Sequence, residues 1–204
     1  MQLTDLQDGV DVCILAVTDS AIADVAAQLS FRQTVLIHCA GSIDAEVLKA
    51  GAQEYGVLWP VFSIRRDAPP AHNGFPCVWE AVGKRAQRIV STLAESLGTT
   101  SFQASSAQRA VLHLSAVMGA NFFNHLLAIC QQLLRSEGCS LSLLAPILQQ
   151  TLEAASSAAD VRALQTGPAL RRDANTLEKH LRMLKGQPAW ADVYKAISHS
   201  IQQS

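Results

Sequence analysis

The chain has 204 residues, of which 49% are hydrophobic and 16% charged, and its formal net charge is −1. That balance supports a sizeable core and excludes a disordered chain. With no long run of one sign, it also argues against nucleic acid or an anionic membrane as a partner.

Cys13, Cys39, Cys77, Cys130 and Cys139 sit mostly inside apolar runs and form no CxxC pair. Such cysteines act as small hydrophobes, and a reducing cytoplasm is the expected location. The start, MQLTDLQDG, lacks the basic and apolar regions of a secretory signal.

Val10 to Val17 is a continuous apolar run, expected as a strand buried on both faces, as in a parallel sheet. Thr18-Asp19-Ser20 follows, with Asp19 or Ser20 as the expected cap of a short helix, AIADVAAQL. Thr34 to Cys39 predicts a second buried strand, Ala40-Gly41-Ser42 a turn and IDAEVLKAGAQE a second helix. Gly56 to Val61 predicts the third strand, 65–74 a Pro-rich loop and Phe75 to Ala81 the fourth strand. A helix, KRAQRIVSTLAESL, starts after Gly83. This alternation predicts an α/β layer with a largely parallel sheet. Ligands in such sheets sit beyond the carboxyl ends of the strands. There this chain places Thr18 to Ser20, His38 to Ser42 and Pro60 to Ser63.

The polar stretch Leu97 to Ala107 predicts a domain boundary, with an α/β domain at 1–100 and a helical one at 101–204. Beyond it, helices are expected over about Ser106–Ser136, Leu141–Ala159, Pro168–Lys185 and Ala189–Gln202. The first is uncharged between Arg109 and Arg135 and apolar on every side, which predicts a helix buried all round. It is long enough to span a bilayer, but its His, Asn and Gln residues make insertion expensive. At 3.6 residues per turn, His113, Val117, Ala120 and Asn124 share a stripe, with Asn121 about 80° away. Buried polar groups there either bond within the core or line a site. In the third of these helices, Arg171 and Arg172 are expected in the first turn, beside Asp173. Cations oppose the helix dipole there, so they either suit an anion or pair with carboxylates. No G-x-G-x-x-G, P-loop, H-E-x-x-H or G-x-S-x-G occurs, and no metal site is predicted.

HCAGS (38–42), YGVLWPVFS (55–63), QRAVLHLSAVMGANFFNH (108–125) and QTGPALRRD (165–173) occur in that order. In these motifs the chain resembles the bacterial Rossmann-like proteins that carry the C-terminal domain of unknown function 2520. These are labelled NADP oxidoreductases of the deazaflavin-coenzyme-dependent type. The resemblance implies an incomplete Rossmann-like layer followed by an all-α domain similar to that of 6-phosphogluconate and ketopantoate dehydrogenases. It also implies NADP as cofactor, and a ligand cleft between the domains. Val17, Thr18, Asp19, His38, Gly41 and Ser42 would face the cofactor. His113 would donate a proton and Asn121 would orient the substrate. Asn124, Thr166, Gly167, Arg171 and Asp173 would bind substrate, the last four from the same or a partner subunit.

Related chains open with a strand, a Gly-rich turn and a helix. Here roughly 60 residues of that unit would be absent, so that the α/β domain is N-terminally truncated. The chain is therefore expected to be a hydroxyacid- or 6-phosphogluconate-dehydrogenase-like NAD(P) oxidoreductase, or a fragment of one, acting on a small molecule. The alternative is a non-catalytic dimer-forming or ligand-sensing module. A cytoplasmic homodimer built on the helical domain is expected, because about 100 residues of helix hardly cover a helix apolar on every side.

Overall fold

The computed structural model describes residues 6, 8–64, 67 and 74–203. Within them the chain forms two compact units, Met1–Phe122 and Phe123–Ser204.

The first unit is an α/β layer. Its sheet runs in the order β1 (Val12–Leu15), β2 (Val35–His38), β3 (Tyr55–Pro60), β4 (Cys77–Val82) and β5 (Ser101–Gln103). Strands β1, β2 and β3 are parallel, β3 and β4 antiparallel, and β4 and β5 parallel. β2 and most of β3 are buried, as their apolar runs VLI and VLW lead one to expect. Leu36, Leu48, Val57 and Trp59 centre one core, and Val35, Ile37, Val90 and Ala94 the other, under α2 (Lys84–Leu97).

Several expectations are corrected here. Among the described residues β1 is an edge strand with β2 as its neighbour, not a strand buried on both faces, and Ile14 is 48% exposed. The chain from Asp19 forms a single 3₁₀ turn and the five-residue α1 (Ile22–Ala26), with Thr18 rather than Asp19 or Ser20 at the N-cap and no side-chain cap bond. The second expected helix is only a 3₁₀ stretch, Ala45–Ala50, capped by Asp44, which accepts from Glu46 N–H at 2.9 Å. The polar stretch Leu97 to Ala107 also contains β5, which is exposed and too short to show a pattern. Most of the expected Pro-rich loop lies outside the described residues.

The long helix runs over 106–136 in three parts: α3 (Ser106–Ala116), a π-helical segment (Val117–Phe122) and α4 (Phe123–Ser136). A reciprocal capping box starts it, with Ser105 and Gln108 each bonding the other's backbone N–H. The two units divide at the end of the π segment. By length and composition this helix could cross a membrane, yet Arg109 ties its first turns to the sheet. It is not buried all round in the single chain. Val111, Leu114, Met118 and Phe122 are 56–65% exposed. An apolar surface says that a helix needs cover, not that its own chain supplies it.

The second unit adds α5 (Ala145–Ser157), α6 (Ala174–Met183) and α7 (Pro188–Gln203). Its buried apolar residues, among those described, are Ile129, Ala169 and Leu184. α6 starts after Asp173, not near Pro168, so Arg171 and Arg172 precede the helix instead of occupying its first turn. Arg172 takes a left-handed backbone, φ 53°, which ends the turn before the cap.

Candidate functional site

Parallel pairing of β1, β2 and β3 brings their carboxyl ends to one edge of the sheet. There the loops after β1 and β2 are tied together: Ser42 Oγ donates to Asp19 Oδ2 at 3.0 Å. Val17, Thr18, Asp19 and Ser42 are all exposed. Gly41 is buried, against the end of β3 and the long helix. A Cβ added there would stand 2.6 Å from Trp59 Cε2 and 2.7 Å from His113 Cδ2. Glycine is required because the two rings occupy that space. Trp59 and His113 face each other with ring centroids 5.6 Å apart, tilted by 52°.

Beside this contact lies a cavity of about 440 Å³, whose lining includes Trp59, Phe62, Ser63, His113, Ala120 and Asn121. Its size suits a small organic molecule. No described residue hydrogen-bonds the His113 imidazole, the Asn121 amide or the Ser63 hydroxyl. Three unpaired polar groups on an otherwise apolar wall are what a ligand with one polar group needs.

The π segment explains why Asn121, and not Asn124, joins His113. A π turn closes i→i+5 bonds and takes more residues per turn than an α turn. Asn121, eight residues on, therefore falls back toward the His113 face. Asn124 is exposed and belongs to the second unit.

His38 does not present a free nitrogen. It is wholly buried; Ala40 N–H donates to Nδ1 at 3.2 Å, leaving Nε2 to face Asp44 O at 3.5 Å. Burial holds its pKa below the usual histidine range, so it stays neutral and shapes the 38–44 loop.

Around it lies a network that sequence reasoning missed. Arg109 is 1% exposed, and its guanidinium bonds Glu80 of β4, Ile43 O (2.5 Å) and Ser106 Oγ (3.3 Å). Ser106 Oγ lies within donating distance of Glu80 Oε2 (2.9 Å) and Asp44 Oδ1 (3.1 Å). A glutamate inside the otherwise apolar strand CVWEAV was the available signal.

The other expected substrate residues lie in the second unit. Asp173 is the N-cap of α6, accepting from Thr176 N–H (3.1 Å) and Thr176 Oγ1 (2.7 Å). These bonds hold its carboxyl below the usual carboxylate range. Thr166 and Arg171 are exposed, and Gly167 adopts φ 104°. Thr166 borders an almost wholly apolar cavity of about 430 Å³ between α4, α6 and α7, where His180 Nδ1 and Tyr194 OH pair at 2.8 Å. Among the described residues no group of His, Cys, Asp and Glu could hold a metal ion.

A parallel-dominated nucleotide-binding-type layer followed by helices is the architecture of NADP-linked oxidoreductases, and solved structures bear this out. A protein of Bacteroides fragilis assigned as an NADP oxidoreductase matches with TM-score 0.88 and 29% identity, over 99% of this chain and 79% of its own. A Thermotoga maritima protein matches with TM-score 0.73 and 22% identity, over 98% and 82%. A reductive aminase of Aspergillus terreus, in complex with NADPH and ethyl levulinate, shares the fold with TM-score 0.68 and 16% identity, over 94% and 72%. No curated protein matches. Residues 75–201 match domain of unknown function 2520, and the chain belongs to that family.

Proposed function

We propose that this chain is an NADP-linked oxidoreductase of the hydroxyacid-dehydrogenase kind, or a part of one, with its substrate in the cavity beside Trp59. The observation that carries this reading is the pairing of unpartnered His113 and Asn121 groups on one cavity wall, at the carboxyl edge of the parallel strands. His113 donates a proton to the substrate heteroatom on which negative charge develops, and the Asn121 amide orients that atom. The close fit of Gly41, Trp59 and His113 keeps the imidazole in place.

Val17, Thr18, Asp19 and Ser42, exposed at the same edge, fit the ribose and nicotinamide end of a dinucleotide. When bound, that cofactor supplies a hydride. No Gly-rich phosphate turn occurs in this sequence, so no residue here is assigned to the pyrophosphate. A second reading is a ligand-sensing module without redox turnover. Asn124, Thr166, Gly167, Arg171 and Asp173 stay substrate-side candidates, with Asp173 acting through the α6 cap.

The protein is further proposed to be a cytoplasmic homodimer. The exposed Val111, Leu114, Met118, Phe122, Leu143 and Ile147 support the homodimer, as does the small internal core of the second unit. The apolar cavity between α4, α6 and α7 is then a groove for the second copy.

Titration of NADPH and NADH, followed by nucleotide fluorescence, tests the assignment. It is run on this chain and on the chain extended by the residues encoded upstream. Saturable NADPH binding by either form, with NADPH oxidation lost in His113→Gln, is expected. Binding by neither form overturns the oxidoreductase reading, and binding without turnover of any carbonyl or imine substrate favours the sensing one.

A further inference from the structure

We infer that Arg109 is a positioning residue, and that its buried fork fixes His113 against the Gly41 loop. The guanidinium reaches two elements at once. One nitrogen meets Glu80 on β4, and the other meets Ile43 O in the loop that carries Gly41. Arg109 and His113 are four residues apart on α3, hence on the same helix face. A single side chain therefore sets the distance between the two walls that meet at His113.

The rest of the network braces the same junction. Ser106, one turn before Arg109, lies between Glu80 and Asp44. Asp44 caps the 3₁₀ stretch that follows the loop, and its carbonyl faces His38 Nε2. Sheet, loop and helix thus share one polar cluster around the buried Arg109, on the side of α3 that points His113 at Trp59. Lysine cannot replace the arginine, because a point ammonium cannot bond the two acceptors as a planar fork does. Burial sharpens the requirement, since a displaced charge there has no water to turn to.

The test observes His113 directly and needs neither nucleotide nor substrate, so its outcome is independent of the proposed reductase activity. The imidazole carbon-bound protons of His113 are assigned by their loss in His113→Gln. Lying beside the Trp59 ring, they carry its ring-current shift. In Glu80→Gln and Arg109→Lys these resonances are expected to move toward free-histidine positions. Those of His180, bonded to Tyr194 in the second unit, are expected to stay. If either variant does not fold, Ser106→Ala removes one brace and is expected to give a smaller shift in the same direction. His113 resonances unchanged in any folded variant of Arg109 or Glu80 would overturn the inference. So would equal displacement of His113 and His180, which marks general loosening.

Discussion

Gly41→Ala probes the candidate site with the smallest possible change. The added methyl would meet Trp59 Cε2 at 2.6 Å, His113 Cδ2 at 2.7 Å and Trp59 Cδ2 at 2.9 Å, closer than carbon atoms pack. Trp59 is only 8% exposed and has little room to retreat, so the His113 ring must give. Overpacking of this kind costs about 1–3 kcal/mol. Gly41 does not have a positive φ, so alanine suits the backbone and regains about 0.4–1 kcal/mol through the unfolded state. The net loss is therefore centred on about 1.3 kcal/mol and at most about 2.6 kcal/mol, or roughly 3–5 °C in Tm at the centre for a chain of this size. Thermal melts and urea titrations followed by tryptophan fluorescence measure it, and NMR locates His113. The decisive feature is the combination: a modest loss of stability together with displacement of the imidazole. Wild-type stability and an unmoved His113 ring would refute the close approach of loop and helix.

Three further outcomes follow from the described geometry. The Asp8 carboxyl accepts backbone N–H bonds from Arg32, Gln33 and Thr34, which hold its pKa at about 2 against an ordinary 3.8. Its contribution is present above pH 3.8 and is lost as pH falls toward 2. Asp8→Asn should therefore flatten the dependence of stability on pH across that window in acid titrations followed by circular dichroism. Burial depresses the His38 pKa below 6.5, so its contribution is whole above that pH and fades as pH drops below it. His38→Gln should remove this mildly acidic limb from the stability profile while leaving the Asp8 limb. Met118→Glu, on the 59% exposed ridge, should shift sedimentation at micromolar concentration from dimer to monomer; a wild-type monomer that unfolds cooperatively would sink the homodimer.

Much of the fold was legible in the sequence because burial writes itself as runs and periods. The apolar runs at 10–17, 34–39, 56–61 and 75–81 each supply a strand, and the long helix ends at Ser136 as expected. β5 was illegible because Ser101, Phe102 and Gln103 are exposed; pairing with β4 holds them, not a hydrophobic pattern. The runs could not tell a central strand from an edge strand either, as Ile14 shows. At the site, an ideal 3.6-residue period put His113 and Asn124 on one stripe, with Asn121 about 80° away. A single π turn brings Asn121 round instead, and nothing in Val117 to Phe122 announces one. Arg109 was read as the end of an apolar run, because which carboxylate a buried arginine meets depends on the sheet and not on the helix.

The reversal between β3 and β4 bears on how such a protein could change its specificity. In a parallel unit the chain must cross the sheet, so its connection is occupied by a packed helix. Here β4 runs back beside β3, so Pro60 and Cys77 stand at the same carboxyl edge, next to the cavity. Antiparallel neighbours need no crossover and can be joined by a loop. Lengthening such a loop is cheap, about 0.6 kcal/mol of closure entropy for each doubling. Phe62 and Ser63 therefore sit in the part of the site that descendants can redraw most freely. Gly41, Trp59 and His113, held by the sheet and by Arg109, form the part they must keep.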